Sequence, residues 1–481
     1  MKKILFINPN KWGRGITPIW IASHFSILKK NFKVELFDAT FYENWTKNET
    51  KFNTRNQQYL DTDYLEKVIF NKNDIFKDLE KKINKFKPDV IFWSAISSHI
   101  HGEGEYVNIQ YGYELLEKIN TKNSILITGG LQATASPELI LRKFPKVNFL
   151  ISGESEFVLN EILKNLDSPE KVQKIPGLSF VKENKFFKNQ PQKIISNLDE
   201  IPHYDYSLFE NQVFLRPYNG SVLNALDYEM SRGCIYTCSY CVETVIQNYY
   251  NFKLASKKGA LLEAKKYLRN KSSIRIYEEL KMFKDNLNIN LVRCQDTNFL
   301  TINKKILIEL SELLIQKPLN LKLYIETRPE GINQETVKLL KNLGVDGVGM
   351  GIELSGEEFR ENNLNRFSNQ EKIVQAFDIL KDNGIKRTSY NIIGLPGQNE
   401  QSIINTIEFN KFIKPDNVTV AYYSPYLGTN EQKKSVDLEY FEEYEKDVDG
   451  QLRSLSINTL ISRDKLNYYK KNFNNLIFSE K

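Results

Sequence analysis

The first 170 residues alternate short apolar runs with segments of helical periodicity. Apolar side chains recur at helical spacing at Ile75, Leu79, Ile83 and Phe86. Strands are expected at 2–8, 32–38, 89–95, 124–128 and 147–151, and helices at 18–30, 75–86, 109–119, 137–143 and 155–166. This alternation predicts an N-terminal α/β domain with a doubly wound parallel sheet, in which ligands bind beyond the carboxyl ends of the strands.

A second alternation begins at residue 223. It predicts strands at 223–230, 289–294, 321–326, 346–352, 386–393 and 417–423. Six βα-type repeats are too few for a closed eight-stranded barrel, so we expect a partial (β/α)6 barrel that is open on one side. We therefore divide the chain into an N-terminal domain at 1–170, a connector at 171–222, a barrel at 223–430 and a helical C-terminal extension at 431–481. A small hairpin is expected within the connector, around Glu183-Asn184.

The composition is that of an ordinary soluble globular protein. Of 481 residues, 41% are hydrophobic and 26% are charged. The formal net charge of +6 is too small for this length to indicate a nucleic acid or an anionic membrane as a partner. No apolar run of 18 residues occurs, so we expect no transmembrane segment. The apolar N-terminal run stops at Asn8-Pro9 without a small-residue cleavage site, which favours a first strand over a signal peptide.

Three of the four cysteines lie close together, as Cys234-x3-Cys238-x2-Cys241 directly after a predicted strand. This usage indicates a reducing, cytoplasmic location and a metal or redox site rather than a disulfide framework. Thiolates bind iron–sulfur clusters or zinc. Three ligands leave one metal position open for a substrate. The alternative is a closed zinc or electron-transfer site with Cys294 as the fourth ligand.

The cysteine pattern and five later motifs resemble the radical S-adenosylmethionine (radical SAM) superfamily. Tyr240 fills the aromatic place before the third cysteine of its signature. The later motifs follow in the order seen in the large branch that carries cobalamin-binding domains: Thr327-Arg-Pro-Glu330, Gly351-Ile-Glu353, Leu364-Asn-Arg366, Gly394-Leu-Pro-Gly397 and Pro425-Tyr-Leu-Gly-Thr429. The combination and its order are specific, although each short motif alone is not.

The resemblance implies the cofactors and the chemistry. Cys234, Cys238 and Cys241 would hold a 4Fe-4S cluster whose open iron chelates S-adenosyl-L-methionine. Cleavage of that molecule would give a 5′-deoxyadenosyl radical, which abstracts hydrogen from the substrate. An external one-electron reductant, such as a flavodoxin- or ferredoxin-like protein, is implied as a partner. The substrate is a small molecule or a peptide, and no catalytic residue is assigned beyond the cluster.

Three further side chains are assigned to cofactor binding, each with a structural alternative. Tyr240 would pack on the adenine or serve as a core aromatic. Asp296, just after a predicted strand, would bind the ammonium or ribose of the cosubstrate, or cap the next helix. Arg328 would pair with the methionyl carboxylate or another anion, or form a surface ion pair.

Two later motifs supply the remaining expected contacts to S-adenosylmethionine. Glu353 ends an apolar strand, and a buried carboxylate there needs a partner, so we expect a polar contact to cofactor. Gly394 and Pro396 belong to a turn that would bring the backbone close to the adenine, although a plain tight turn uses the same residues. The family pattern usually reads Gly-Ile-Glu-Ser-Gly, whereas this chain has one additional residue, Leu354, after Glu353.

The N-terminal domain resembles the cobalamin-binding domain of the same branch. The resemblance rests on Asn8-Pro9, Lys87-Pro-Asp-Val90, Gly129-Gly-Leu-Gln-Ala-Thr134 and Gly153-Glu-Ser-Glu156. Small residues at the predicted strand ends would allow a corrin ring to approach the backbone; those assigned to cobalamin are Ser97, Gly129, Gly130, Ala133 and Thr134. The alternative is a doubly wound domain without a ligand.

No axial cobalt ligand is assigned. The loop Asn8–Gly13 lacks the histidine that ligates cobalt in cobalamin mutases. His24 lies in a predicted helix, where packing is its ordinary role. His99 and His101 follow the third predicted strand, in a plausible binding loop.

The resemblance implies a cobalamin-dependent methyltransferase that acts on an unactivated carbon. A cyclase or rearrangement enzyme of the same architecture is the first alternative, and a cobalamin or cluster sensor without turnover is the second. Methylthiotransferases share the barrel motifs, but their N-terminal domain carries three cluster cysteines. Residues 1–233 contain no cysteine, which excludes that function.

Overall fold

The computed structural model describes residues 1–46, 60–94, 109–252, 259–423, 425–437 and 460–478. The chain forms two compact units. The first consists of Met1–Asn53, Asp63–Arg216 and Val245–Asn251, and the second of Thr54–Thr62, Pro217–Thr244 and Phe252–Lys481.

The first unit contains a seven-stranded sheet in the order β2-β1-β3-β4-β5-β6-β7. Its strands are β1 (Lys3–Asn8), β2 (Lys33–Asp38), β3 (Val90–Trp93), β4 (Ile125–Gly129), β5 (Phe149–Ile151), β6 (Leu178–Lys182) and β7 (Lys185–Lys188). Strands β1 to β5 are parallel, which confirms the predicted parallel sheet. The expected hairpin forms β6 and β7 and continues this sheet, because Ile151 pairs with Leu178 in antiparallel register.

Apolar faces of helices cover the first sheet. The helices of this unit are Ile19–Leu28, Tyr64–Lys67, Ile75–Phe86, Ile109–Glu117, Leu131–Ala135, Pro137–Lys143, Glu156–Lys164 and Pro169–Val172. In helix Ile75–Phe86, the Asp74 side chain accepts hydrogen bonds from the first-turn amides, and the helix ends at Lys87 in the left-handed region. The four apolar residues that predicted this helix are its buried residues.

The second unit contains another seven-stranded sheet, in the order β16-β15-β14-β13-β12-β9-β8. Its strands are β8 (Leu215–Tyr218), β9 (Ser221–Tyr228), β12 (Leu291–Cys294), β13 (Lys322–Thr327), β14 (Val345–Glu353), β15 (Lys386–Ile393) and β16 (Asn417–Tyr422). The six strands from β9 to β16 are parallel to their neighbours, which confirms the predicted partial barrel. Strand β8 adds an edge that the sequence pattern did not predict.

Helices alternate with these strands. The longer ones are Ser273–Leu287, Lys304–Gln316, Gln334–Asn342, Glu357–Leu364, Gln370–Asp382 and Glu400–Ile413. The expected C-terminal helical region gives Asn430–Asp437 and Arg463–Phe478, and residues 438–459 lie outside the described residues. Helix Arg463–Phe478 packs Leu466 and Phe473 into a core with Ile393 and Val418. Within the described ranges, no helix is both long and apolar enough to cross a membrane.

Candidate functional site

The cysteine loop begins at a two-stranded antiparallel ribbon. Strand β10 (Ser231–Arg232) pairs with β11 (Arg269–Asn270), and the loop ends at helix Glu243–Tyr249. Gly233 has φ +96, and a Cβ there would lie 2.6 Å from the Tyr267 carbonyl oxygen, so this entry to the loop requires glycine. The loop turns where the Cys241 amide donates to the Cys238 carbonyl at 3.0 Å.

The three loop cysteines lie in a poorly solvated environment. Cys234 and Cys238 are buried and Cys241 is partly exposed. Burial, together with the nearby Glu243 carboxylate, raises the pKa of Cys234 to about 12. Burial and the charge of Cys238 raise the pKa of Cys241. A bound cation would reverse this preference, because metal ligation favours the thiolate.

No group of three His, Cys, Asp or Glu side chains in the described parts of the chain converges on one metal ion. A cluster of four irons does not require this convergence, since each thiolate binds a different iron. Cys294 lies within strand β12, where it is paired in register with Tyr228, and not in the cysteine loop. Its thiol is buried, and burial raises its pKa.

Tyr240 belongs to a buried polar network beside the cysteines. Its hydroxyl donates to Glu353 Oε1 at 2.9 Å, and Arg366 Nη1 donates to the same hydroxyl at 3.4 Å. Arg366 Nη1 also lies 3.6 Å from Glu353 Oε1, and Nη2 donates to the Gly351 carbonyl. Burial raises the pKa of Tyr240, with Arg366 opposing and Glu353 reinforcing the shift. The network therefore holds a neutral phenol against a buried ion pair.

The backbone at Glu353 is strained. Glu353 has φ +62, and the pairing of β14 with β15 shifts register between Gly351 and Glu353. A non-glycine residue rarely adopts this conformation. A Cβ at Gly351 would lie 2.3 Å from Glu353 Oε1, so the glycine leaves the room that the carboxylate occupies. The irregularity coincides with the point where the sequence departs from the family pattern.

Asp296 joins the end of β12 to the start of the cysteine loop. Its Oδ1 accepts from the Ser231 amide at 2.6 Å, the Ser231 hydroxyl at 2.5 Å and the Met230 amide at 3.1 Å. Burial is the main cause that raises the pKa of Asp296, to about 6, although these hydrogen bonds oppose the shift. The next α-helix, Lys304–Gln316, is capped by Asn303, so Asp296 is not its cap.

Arg328 lies against a cysteine of the loop. It is 7% exposed, and its Nη1 donates to Cys238 Sγ at 3.8 Å. Its guanidinium carbon lies 3.8 Å from the centroid of the Tyr236 ring. Glu330 binds Nε and Nη2 at 3.3 and 2.9 Å, and the Phe367 carbonyl accepts from Nη2 at 2.9 Å. The ion pair is thus buried and not a surface feature.

The turn after β15 is built by glycine and by one glutamine. Gly394 has φ +81 and Gly397 has φ +78, and Pro396 lies between them. Gln398 Oε1 accepts from the amides of Gly394 at 2.7 Å and Leu395 at 3.2 Å. Gln398 Nε2 is buried and has no hydrogen-bond partner among the described residues. Gln398 follows the Gly394–Gly397 motif directly, but nothing in the pattern indicated this role.

A second buried ionic network lies in the chain around the cysteine loop. The sequence pattern did not predict this network either. Lys271 pairs with Glu279 at 2.8 Å, and both side chains are inaccessible to solvent. Arg232 pairs with Glu229 at 2.8 Å. The Tyr228 hydroxyl donates to Glu279 at 2.6 Å. Single charged residues in a sequence suggest solvent exposure, so only the tertiary structure reveals such pairs.

In the first unit, the glycine-rich loop after β4 is tied to the loop after β5. Gly130 has φ +108 and starts helix Leu131–Ala135. Thr134 Oγ1 donates to the Gly130 carbonyl at 2.7 Å and accepts from the Gly153 amide at 2.8 Å. The Ala133 carbonyl accepts from Ser152 Oγ at 3.0 Å. A Cβ on Gly129 would lie 3.0 Å from the Ile151 carbonyl oxygen. Gly129, Gly130, Ala133 and Thr134 are thus brought together.

The three histidines of residues 1–170 fall into two groups. His24 is fully buried, with Nδ1 2.6 Å from the Trp20 carbonyl oxygen and Nε2 3.0 Å from Ser155 Oγ. It also packs between Phe6 and Phe92. His24 is therefore a core residue. Ser97, His99 and His101 lie outside the described residues.

Comparison of the sequence with known proteins gives a family match and distant relatives. Residues 228–409 match the radical SAM superfamily. A protein of Pyrococcus horikoshii named as an uncharacterized methyltransferase is 26% identical over 74% of this chain and 71% of its own length. The anaerobic magnesium-protoporphyrin IX monomethyl ester cyclase of Rubrivivax gelatinosus is 23% identical, and the match covers 74% of this chain and 60% of the cyclase.

Solved structures share the fold over nearly the whole chain. The radical S-adenosylmethionine methyltransferase TsrM of Kitasatospora setae aligns with a TM-score of 0.66 at 15% identity, over 91% of this chain and 77% of its own. The cobalamin-dependent radical enzyme OxsB aligns with a TM-score of 0.60 at 16% identity, over 99% of this chain and 62% of its own. The cysteine loop, the half-barrel and the family match together show that residues 228–409 form a radical SAM domain.

Proposed function

We propose that this chain is a cobalamin-dependent radical SAM methyltransferase whose substrate is a small molecule or a peptide. The observation that carries the proposal is the combination, in one chain, of a radical SAM half-barrel and a parallel-sheet unit on the fold of TsrM and OxsB. The relative named as a methyltransferase supports methyl transfer as the reaction class.

The residues of the loop fit a 4Fe-4S cluster. Cys234, Cys238 and Cys241 supply three thiols on one short loop that is anchored at both ends. Their surroundings exclude most water, and Arg328 offers a cation and a hydrogen-bond donor to Cys238. Such a setting favours thiolates once iron is bound. A position left open by three ligands is where S-adenosylmethionine would bind.

The residues around Glu353 and Gly394 fit S-adenosylmethionine. Glu353 is a buried carboxylate next to the cysteine loop, and Tyr240 and Arg366 hold its orientation. In the turn after β15, Gln398 Nε2 is a buried donor without a partner in the described structure. We assign Glu353 and Tyr240 to the cosubstrate site, with Gly394 and Pro396 allowing the backbone to approach it closely. We assign Asp296 to holding the start of the cysteine loop in place, through its hydrogen bonds with Met230 and Ser231.

The strand ends of the first unit fit a corrin. Asn8 ends β1, and its Oδ1 is buried without a hydrogen-bond partner among the described residues. A corrin carries amide side chains that could donate to such an acceptor. A Cβ on Gly129 would lie 3.0 Å from the Ile151 carbonyl oxygen, and Ala133 and Thr134 are buried, so small side chains keep these loops close to the neighbouring strand ends. His24 is committed to Trp20 and Ser155 and is not assigned to cobalt.

When bound, the three groups supply the one-electron and methyl-carrier chemistry, and the protein supplies position and shelter from water. Tyr240, Glu353 and Arg366 would bind and orient the cosubstrate. Asp296 fixes the entry to the cysteine loop, and Gln398 holds the turn after β15. A flavodoxin- or ferredoxin-like protein would supply electrons from outside.

The decisive experiment measures the products of S-adenosylmethionine with the full chain, which is reconstituted anaerobically with iron, sulfide and hydroxocobalamin. Under reducing conditions, a methyltransferase forms S-adenosylhomocysteine in an amount limited by bound cobalamin, even without substrate. Omission of cobalamin should abolish that product and leave reductive cleavage to 5′-deoxyadenosine intact. A protein that forms no cobalamin-dependent S-adenosylhomocysteine is not this kind of methyltransferase.

A cyclase is the second candidate, because relatives named as magnesium-protoporphyrin ester cyclases match three quarters of the chain. The same assay distinguishes a cyclase from a methyltransferase. A cyclase would consume S-adenosylmethionine to 5′-deoxyadenosine only, and product formation would not require S-adenosylhomocysteine.

A further inference from the structure

Arg328 is a buried cation that has a sulfur atom among its hydrogen-bond acceptors. Its Nη1 donates to Cys238 Sγ at 3.8 Å, a distance suited to a hydrogen bond with sulfur. The guanidinium also lies over Tyr236, with its central carbon 3.8 Å from the ring centroid. Tyr236 and Cys238 belong to the same loop, so the Arg328 side chain contacts this loop at two residues.

Two groups outside the cysteine loop also hold the guanidinium in place. Glu330 binds Nε and Nη2, and the Phe367 carbonyl accepts from Nη2. Arg328 and Glu330 expose only 8% and 18% of their side chains, so solvent screens the pair weakly. Because Tyr236, Glu330 and the Phe367 carbonyl all contact the guanidinium, its direction toward Cys238 is fixed before any cluster is present.

We propose that Arg328 sets the reduction potential of the cluster through its hydrogen bond and its positive charge at Cys238. Reduction adds one electron to the cluster, which makes its sulfur ligands more negative. A fixed cation and an N–H donor at a cysteine sulfur stabilise that reduced state more than the oxidised state and so raise the potential. This inference rests on the proposed function only in requiring that the three cysteines hold an iron–sulfur cluster.

The electron comes from outside the chain. A reduced flavodoxin- or ferredoxin-like protein gives up one electron and the cluster accepts it; Arg328 keeps its charge and its protons. Arg328 is therefore a positioning residue, and its contribution is visible in an equilibrium potential without any turnover of S-adenosylmethionine.

Glu330 allows a test of the direction in which the charge of Arg328 shifts the reduction potential. Its carboxylate partly cancels the charge of Arg328, whereas the Phe367 carbonyl and the Tyr236 ring contact the guanidinium independently of it. Removing the charge of Glu330 should therefore strengthen the positive field at Cys238. Removing the charge of Arg328 should weaken it.

Arg387 provides a matched control. It is also buried, binds Asp416 through Nε and Nη2 at 2.8 and 3.1 Å, and donates to the Phe377 carbonyl at 3.3 Å. It thus has the same kinds of oxygen partner as Arg328, one carboxylate and one phenylalanine carbonyl. No contact of Arg387 with a cysteine occurs among the described hydrogen bonds, so it reports the effect of losing a buried arginine alone.

The experiment is a redox titration of the full-length protein, reconstituted with cluster and without S-adenosylmethionine, followed by electron paramagnetic resonance. We expect Arg328→Gln to shift the midpoint potential to more negative values, Arg328→Lys to shift it less in the same direction, and Glu330→Gln to shift it to more positive values. Arg387→Gln should leave it unchanged. Circular dichroism and iron content confirm that each variant is folded and loaded.

The outcomes separate this inference from the proposed function. If the wild type loads a cluster but Arg328→Gln and Glu330→Gln share its potential, the role of Arg328 is wrong and the proposed function stands. The same conclusion follows if Arg387→Gln shifts the potential as much as Arg328→Gln. If Arg328→Gln does not hold the cluster, Arg328→Lys and Glu330→Gln decide by the opposite signs of their shifts. A wild type that holds no cluster overturns the proposed function itself.

Discussion

The hydroxyl of Tyr240 donates a 2.9 Å hydrogen bond to Glu353, a residue 113 positions later whose backbone lies in the left-handed region. Tyr240 stands between two cysteines of the loop, and Glu353 ends strand β14. The bond therefore connects the cysteine loop to the end of a barrel strand. The orientation of the Glu353 carboxylate depends on this contact and on Arg366.

Loss of the Tyr240 hydroxyl should weaken cosubstrate binding without unfolding the protein. Tyr240→Phe removes the hydrogen bond to Glu353 and frees the carboxylate to reorient. Hydrogen bonds to charged groups contribute about 1.5–3 kcal/mol, so we expect a loss of roughly tenfold or more in affinity for S-adenosylmethionine. Equilibrium dialysis with the cluster-loaded protein measures this.

Tyr469→Phe is the control for that measurement, because Tyr469 also donates a 2.9 Å hydrogen bond to a glutamate, Glu400. It should bind S-adenosylmethionine like the wild type. Equal affinities for Tyr240→Phe and the wild type would contradict the assignment of Tyr240 and Glu353 to this site.

The strain at Glu353 should be measurable in a pair of variants. Glu353→Ala and Glu353→Gly both remove the carboxylate, so they lose the same contacts to Tyr240 and Arg366. They differ in the backbone, because glycine adopts φ +62 freely and alanine does not. We expect the free energy of unfolding in urea to be higher for the glycine variant by about 1 kcal/mol. Equal stabilities would mean that the bulge relaxes when the carboxylate is lost.

Three of the four cysteines should be required for iron–sulfur loading, and the fourth, Cys294, should not. Replacing Cys234, Cys238 or Cys241 with Ala should abolish iron–sulfur loading and the reductive cleavage of S-adenosylmethionine. Cys294→Ala should keep the iron, since this thiol lies within strand β12. Iron and sulfide assays after anaerobic reconstitution test both statements. Loss of iron in Cys294→Ala, together with its retention in Cys241→Ala, would refute the assigned ligands.

Asp296 should make stability fall as pH rises. Its pKa is raised to about 6 in the folded state, so the folded protein binds a proton that the unfolded chain releases near the ordinary value of 3.8. The stabilisation is complete below the unfolded pKa and is lost as pH rises through 6. Between pH 4.5 and 7.5, the wild type should lose about 2 kcal/mol of unfolding free energy relative to Asp296→Asn.

Urea unfolding of both proteins at the two pH values measures this difference. Asparagine can keep the Oδ1 position, which accepts the shorter hydrogen bonds from Met230 and Ser231. Any titration elsewhere in the protein is common to the two curves and cancels. A difference between the proteins that does not change with pH would show that Asp296 is ionised in the folded state throughout this range.

The sequence predicted the parts of the fold that repeat. Alternating strands and helices carry a strong periodic signal, and the four apolar residues of helix Ile75–Phe86 are an example. Strand β8 was not predicted, because a four-residue edge strand containing proline has little periodicity. Hairpin strands β6 and β7 were expected, but their place in the first sheet depends on pairing with Ile151, which no local pattern encodes.

The candidate site was predictable as a set of motifs but not as a set of contacts. The cysteine spacing and the glycine-containing motifs indicate their own positions along the chain. The partners of Asp296 lie 65 and 66 residues earlier, and those of Glu353 depend on a register shift in β14. Arg328 is expected beside an anion from its charge alone. That one of its acceptors is a cysteine sulfur follows only from the folded barrel.

Helix Arg463–Phe478 has a consequence for how the second unit is made. It supplies Leu466, Phe473 and Ile477 to the core that covers β15 and β16, and Lys470 donates to the Val420 carbonyl on the last strand. During synthesis, the strands and helices before residue 463 must wait on the ribosome with this apolar face uncovered. The half-barrel therefore completes this part of its core only after translation has passed Phe478, and until then the uncovered face is available to a chaperone.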